Sequence, residues 1–269
     1  MDRRPIAMFD SGFGGLTVAR AVIDLLPGED LVYFGDTARY PYGPRPLEEV
    51  RRFAHQISRL LVDRFDPKLL IVACNTAAAA ALDELQGHLD VPVVGVIEPG
   101  VRALVRATTS GRVGVVGTVG TIASGAYQRA VVAADPFVEL TCAACPGLVE
   151  FVERGESDSD QVRVLAERLL APIREAKVDS LLLGCTHYPF LARTISDAVG
   201  REVVLVSSAD ETGFEVRSLL HDAGGTDQSA VASPATHHFI STGDVARFAE
   251  LGQRLLGPEV LHVESHSWD

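Results

Sequence analysis

Leu181-Leu182-Leu183-Gly184-Cys185-Thr186-His187-Tyr188-Pro189 is the stretch whose reading decides the fold. An apolar run stops at a small residue, and a thiol, a hydroxyl and an imidazole follow in consecutive positions. That order reads as a buried strand whose carboxyl end delivers a reactive group. Leu69-Leu70-Ile71-Val72-Ala73-Cys74-Asn75-Thr76 has the same form. On either side of these two stretches, apolar strands alternate with helices of 3.6-residue period. Strands are expected at 6–9, 31–34, 69–73, 91–97, 113–116, 138–141, 180–184, 203–206 and 238–241. Helices are expected at 16–26, 47–65, 77–86, 101–108, 122–132, 162–177, 190–199, 211–222 and 245–256. Between them lie a glycine-rich loop (Asp10 to Gly15), a loop with three prolines and two tyrosines (Ala38 to Pro46), and a Cys142–Pro146 loop. An acidic stretch from Glu153 to Asp160 reads as a solvated linker, and 223–236 as a polar loop. Near-continuous apolar strands separated by helices argue an α/β protein with mostly parallel sheets, helices covering both faces.

The two cysteines sit in matching places. Ser11, after the first strand, precedes Cys74 by 63 residues; Thr118, after the first strand of a second half, precedes Cys185 by 67. An Asp-containing turn (Asp66, Asp179) leads into each cysteine-bearing strand. A duplicated α/β unit with pseudo-two-fold symmetry fits this spacing. Ligands of open α/β sheets bind beyond the carboxyl ends of the strands, where Asp10, Ser11, Cys74, Thr118 and Cys185 all fall. Two such units facing each other place the cysteines on opposite sides of one ligand.

The chain has 269 residues, a formal charge of −12 and 47% hydrophobic residues. An acidic chain without a Lys/Arg run offers nothing to a phosphate backbone, so direct nucleic-acid binding is not expected. Four cysteines are too few for a disulfide scaffold at this length. No secretory signal or membrane span is read, which leaves a soluble cytoplasmic protein with reduced thiols.

Two thiols across one small molecule suit stereochemical inversion. One thiolate removes a proton from carbon, and the opposite thiol returns one to the other face. A helix N-terminus or a nearby imidazolium favours the thiolate. Cys74 lies just before the helix expected from Ala77, and Cys185 shortly before the one from Phe190, with Asp10 and His187 as proton partners. A lone cysteine at a strand end ordinarily just packs; a matched pair, each followed by polar residues, points to chemistry. Cys142-x-x-Cys145 lacks the further ligands a zinc site needs, so no metal is expected. Gly12-x-Gly14-Gly15 followed by Asp36 is half of a dinucleotide fingerprint, but its sixth position is Thr17 and Asp10 would repel a pyrophosphate. A helix N-terminus holding a small carboxylate or ammonium group is the better use. Pyridoxal phosphate needs a lysine, and Lys68 and Lys177 both lie at strand amino ends. The remaining histidines (His221, His237, His238, His262, His266) read as surface or strand-edge residues. A cysteine-nucleophile hydrolase or amidase using Cys185 and His187, and a nucleotide-binding module using the glycine loop, stay as rival readings.

Phe9-Asp-Ser-Gly-Phe-Gly-Gly-Leu-Thr-Val18, Tyr40-Pro-Tyr-Gly43, Ala73-Cys-Asn-Thr76, Gly184-Cys-Thr-His-Tyr-Pro189 and Ser241-Thr-Gly-Asp244 together resemble the bacterial glutamate racemases. The opening motif and the Pro-Tyr-Gly loop are closer to these than to the related aspartate racemases, which remain the alternative acidic-amino-acid racemases. The resemblance implies a cofactor-independent, two-base interconversion of L- and D-glutamate that supplies D-glutamate for peptidoglycan synthesis. It implies Cys74 and Cys185 as the two acid/bases, the former serving the D- and the latter the L-enantiomer, assisted by Asp10 and His187. It implies substrate contacts from Asp10, Ser11, Pro41, Tyr42, Gly43, Asn75, Thr76, Thr118, Thr121, Thr186 and His187, with Glu153 supporting the histidine. The Ala-Cys-Pro at 144–146 also belongs to the pattern. One domain would join 1–98 to 208–269 and the other would span 99–207, with the active site in the cleft between them. Family members are often homodimers. Some are reported to bind DNA gyrase, which this sequence neither supports nor excludes. The chain lacks the long N-terminal extension of members activated by a peptidoglycan precursor, so that control is not expected.

Overall fold

The computed structural model describes residues 2–222, 235–260 and 262–268. The polar loop expected over 223–236 lies outside them except for its last two residues. In chain order the first stretch runs β1 (Ile6–Asp10), α1 (Leu16–Leu25), β2 (Leu31–Gly35), α2 (Leu47–Phe65), β3 (Leu69–Val72), α3 (Asn75–His88), β4 (Val93–Gly95) and α4 (Ile97–Ala107). The second runs β5 (Arg112–Gly117), α5 (Val119–Ala123), α6 (Ala126–Ala134), β6 (Glu139–Ala144), α7 (Leu148–Arg154), α8 (Asp160–Leu169), α9 (Ala171–Glu175) and β7 (Ser180–Gly184). It continues through a 3-10 turn at Tyr188–Leu191, α10 (Ala192–Val199) and β8 (Val204–Ser207). The chain then makes α11 (Ser208–Asp222), β9 (His237–Ser241), α12 (Val245–Leu255) and β10 (Val263–Ser265).

Two sheets result, with order β10-β9-β2-β1-β3-β4 and β6-β5-β7-β8. Every pairing is parallel. The order β2-β1-β3-β4 recurs as β6-β5-β7-β8, so the repeat expected from the spacing is a repeat of topology. Cys74 follows the third strand of one unit and Cys185 the third strand of the other. β1, β2, β3 and β7 are buried at every residue, as strands covered on both faces must be. Strand alternation divides the leucines of β7. Leu182 joins the large core that also surrounds the six-stranded sheet, while Leu181 and Leu183 enter a second core with Leu148, Ile173 and Tyr188. α2 packs Val50, Ala54, Ile57 and Leu61 inward and carries Glu48 and Glu49 in its first turn and Arg64 in its last, matching the helix dipole.

Several boundaries differ from expectation, each for a local reason. α3 begins at Asn75, so Asn75 and Thr76 belong to its first turn and Cys74 is the residue that caps it. The strand expected at 91–97 is only Val93–Gly95, because α4 starts at Ile97; its Pro99 is tolerated in a first turn that has no intrahelical donor to lose. The helix expected at 122–132 breaks at Gly125, whose φ is +72°. The one expected at 162–177 splits at Leu170, because Pro172 removes a donor. Cys142 lies in β6, not in a loop. Glu153 lies in α7 rather than in a solvated linker, and β10 was not anticipated.

Candidate active site

Parallel strands put their carboxyl ends on one side, and there the loops after β1, β3, β5 and β7 meet. One cleft is lined by Ser11, Pro41, Tyr42, Gly43, Cys74, Asn75, Thr76, Thr118, Cys185, Thr186 and His187. Its free volume is about 90 Å³, well below the roughly 300–1,000 Å³ of sites for larger ligands. Asp10, Thr121 and Glu153 are not on its wall; each stands behind a residue that is. Reasoning from sequence named Tyr40 only within a motif and did not single out Pro44, Val119, Gly147, Val149 and Glu150, which also line the cleft. The available signal for the last three was their place after β6, the counterpart of the Tyr40–Pro44 loop after β2.

On the first wall, the Cys74 thiol donates to Ser11 Oγ at 3.7 Å and is 5% exposed. Burial pushes its pKa up to about 12, and the Asp10 carboxylate adds to the rise. The Ala77 N–H and the Ser11 hydroxyl pull the other way. Asp10 is fully buried; its Oδ1 accepts from the Gly12 N–H at 2.7 Å and its Oδ2 from Thr186 Oγ1 at 3.3 Å. Burial raises the Asp10 pKa, with His187 opposing.

On the second wall, Cys185 Sγ and His187 Nδ1 are 3.9 Å apart. Burial pulls the His187 pKa down, but the Cys185 sulfur, Glu153 and Asp10 outweigh it and the pKa rises to about 10. Glu153 Oε1 stands 3.4 Å from His187 Nε2, an ion-pair distance without hydrogen-bond geometry. The expected pairing of Glu153 with the histidine therefore has its contact.

The substrate-facing polar groups are fixed from behind. Thr76, Thr118 and Thr121 form a triangle of hydroxyls with sides of 3.0, 3.0 and 2.9 Å. Asn75 Nδ2 donates to Tyr127 Oη at 2.7 Å, while its Oδ1 is buried without a partner among the described residues. Gly14 explains the glycine loop. A Cβ there would stand 2.3 Å from Thr186 Oγ1 and 2.4 Å from His187 Nδ1. The glycine serves close approach of the two walls, since its φ is not positive. The dinucleotide reading also loses Asp36, whose carboxylate accepts from Tyr42 Oη, Arg39 Nε, Thr242 Oγ1 and Trp268 Nε1. Among the described residues no cluster of three His, Cys, Asp or Glu side chains could hold a metal ion, and no helix is long and apolar enough to cross a membrane.

The sequence profile of the Asp/Glu/hydantoin racemase family matches residues 16–211. A glutamate racemase of Acidothermus cellulolyticus is 53% identical over 98% of this chain and 99% of its own. Among solved structures, a glutamate racemase isoform from Bacillus anthracis superposes with a TM-score of 0.92 at 40% identity, covering 100% of this chain and 98% of that one. The Francisella tularensis glutamate racemase in complex with D-glutamate gives 0.91 at 33% identity, covering 99% and 98%. The chain belongs to the Asp/Glu/hydantoin racemase family.

Proposed function

We propose, from this membership and the geometry of the cleft, that the chain is a glutamate racemase that moves the α-proton between Cys74 and Cys185 without a cofactor. The observation that carries the reading is the pair of cysteines at equivalent strand ends, both on the wall of one small cleft. Glutamate lies with its Cα between the sulfurs. One thiolate takes the proton, the Cα becomes planar, and the opposite thiol protonates the other face. His187 Nδ1, 3.9 Å from the Cys185 sulfur, is placed to exchange a proton with it. Cys74, whose pKa is pushed up to about 12, holds its own proton and is ready to donate. Asp10 stands behind the Cys74 wall as its proton partner. Asn75, Thr76, Thr118 and Thr186 offer hydroxyls and an amide to the substrate carboxylates and ammonium.

A cysteine-nucleophile amidohydrolase would use Cys185 and His187 and leave Cys74 idle. Within this reading the first domain is 1–98 with 208–269 and the second is 99–207; the division of strands between the two sheets supports it. Action in the cytoplasm, where D-glutamate is drawn into peptidoglycan synthesis, and assembly as a homodimer complete the proposal. The test incubates purified protein with D-glutamate in heavy water under reducing conditions, with no cofactor added. Cα deuteration should accompany loss of optical rotation. Absence of both sinks the reading.

A further inference from the structure

Tyr42 lines the cleft, yet its hydroxyl points away and donates to Asp36. Asp36 is fully buried and sits at the end of β2. Its two oxygens take four donors, which fills the acceptor capacity of a carboxylate. Oδ2 takes the Tyr42 hydroxyl and Arg39 Nε, the latter at 2.6 Å. Oδ1 takes Thr242 Oγ1 at 2.9 Å and the indole N–H of Trp268 at 2.8 Å. Arg39 lies between two rings, 4.1 Å from the centroid of Phe53 and 3.9 Å from that of Trp268. Trp268 in turn packs against Phe34 and His266, beyond β10. A residue 232 positions from Asp36 thus closes the cluster that anchors the cleft loop.

We propose that Trp268 is a positioning residue for catalysis, holding the Pro41–Gly43 wall of the cleft through Asp36 and Arg39. It touches neither substrate nor cysteine. Without its N–H and ring, Asp36 loses a donor and Arg39 one face of its stack, so Tyr42 loses its fixed acceptor. The consequence falls on substrate binding more than on proton transfer, because the sulfurs are held by β3, β7 and their own neighbours. The kinetic part of this inference rests on the racemase reading; the structural coupling does not.

The chain has one tryptophan, so its indole N–H gives a single resonance in a 1H–15N spectrum of the labelled protein. Tyr42→Phe, a change on the cleft wall, should move that resonance. Trp268→Phe should raise KM for both enantiomers about tenfold, with kcat changed far less and the thermal midpoint little altered. An indole resonance indifferent to Tyr42→Phe overturns the proposal, as does an unchanged KM in folded Trp268→Phe measured beside an active wild type. A wild type that does not racemise glutamate removes the functional reading instead, and the Tyr42→Phe spectrum alone then decides the coupling.

Discussion

The two cysteine walls share a topology and differ in chemistry. Cys74 and Cys185 follow the third strand of identical strand orders. Yet Cys74 faces a hydroxyl with a buried carboxylate behind it, and Cys185 faces an imidazole with a carboxylate behind it. Burial acts alike on both, since each cysteine is 5% exposed. The neighbours therefore set the difference. Burial and the Asp10 carboxylate behind it keep the Cys74 pKa high, while Cys185 has an imidazole 3.9 Å away. Equivalent backbones thus surround their sulfurs with different partners. The asymmetry cannot show in kcat/KM. The enantiomers have equal free energy, so that ratio must be equal in the two directions at every pH, and only kcat and KM taken singly, or the pattern of proton exchange, can report it.

Removing either sulfur breaks the pairing outright. Cys74→Ser and Cys185→Ser should each lose inversion by ~10²–10⁴-fold or more, the scale of a positioned acid or base. Each variant should still exchange the α-proton of one enantiomer with heavy water, and the two should retain opposite enantiomers. Full racemisation by either variant would end the two-base assignment. Gly14→Ala presses first on the Cys185 side. Its methyl would push against Thr186 and His187, displacing the Cys185 side by a fraction of an ångström or more. A loss of about 10²-fold in kcat is expected, with exchange through Cys185 falling and exchange through Cys74 kept. Equal loss of both exchanges would show that the walls do not move separately.

Alkaline stability separates the walls more gently. The His187 pKa in the folded chain, about 10, stands above its ordinary 6.5, so the folded state holds the extra proton between those values. Its stabilisation is full below 6.5 and is lost as pH rises through about 10. The Cys74 thiol, raised from 9.0 to about 12, adds a second loss across that higher window. His187→Asn should flatten the stability profile in the lower window and Cys74→Ser in the upper, with slopes of at most about 1.4 kcal/mol per pH unit, read by urea unfolding. Identical profiles for both variants would contradict the difference drawn between the walls. The smallest effect is expected at the threonine triangle. Thr118→Val should cost about 1 kcal/mol of stability and, with a substrate contact gone, raise KM while both exchange reactions persist; a stability loss of several kcal/mol would mean that the hydroxyls hold the two sheets together.

The strand ends were legible because strands buried on both faces read as unbroken apolar runs, and those of β1, β3 and β7 lead to Asp10, Cys74 and Cys185. Cys74, Cys185, Asp10 and Thr118 could be located from that alone, whereas Thr76, Thr121 and Thr186 came from the family resemblance. Glu153 was read as part of a solvated charge run. Its partner His187 lies far along the chain and is brought near only by packing. Asn75 and Thr76 were placed outside α3 because the pattern of alanines begins after them, although helix first turns accept such residues. Gly14 looked like a turn glycine. Its actual constraint, the approach of Thr186 and His187, leaves no local trace. Trp268 carried no signal at all, since its partners Asp36 and Arg39 belong to the opposite end of the sequence.

The repeated strand order has a consequence in symmetry. Racemisation relates its two ends by a mirror, an operation that no chain of L-residues can perform on itself. A two-fold rotation is the nearest substitute. With its axis in the plane of the flattened carbon, it exchanges the two faces and brings an equivalent strand end to each. Rotation and reflection differ in where they send the other three substituents, so the two halves had to part company at every side chain that touches them. The divergence of hydroxyl from imidazole around the two sulfurs is what remains when a rotation is asked to stand in for a mirror.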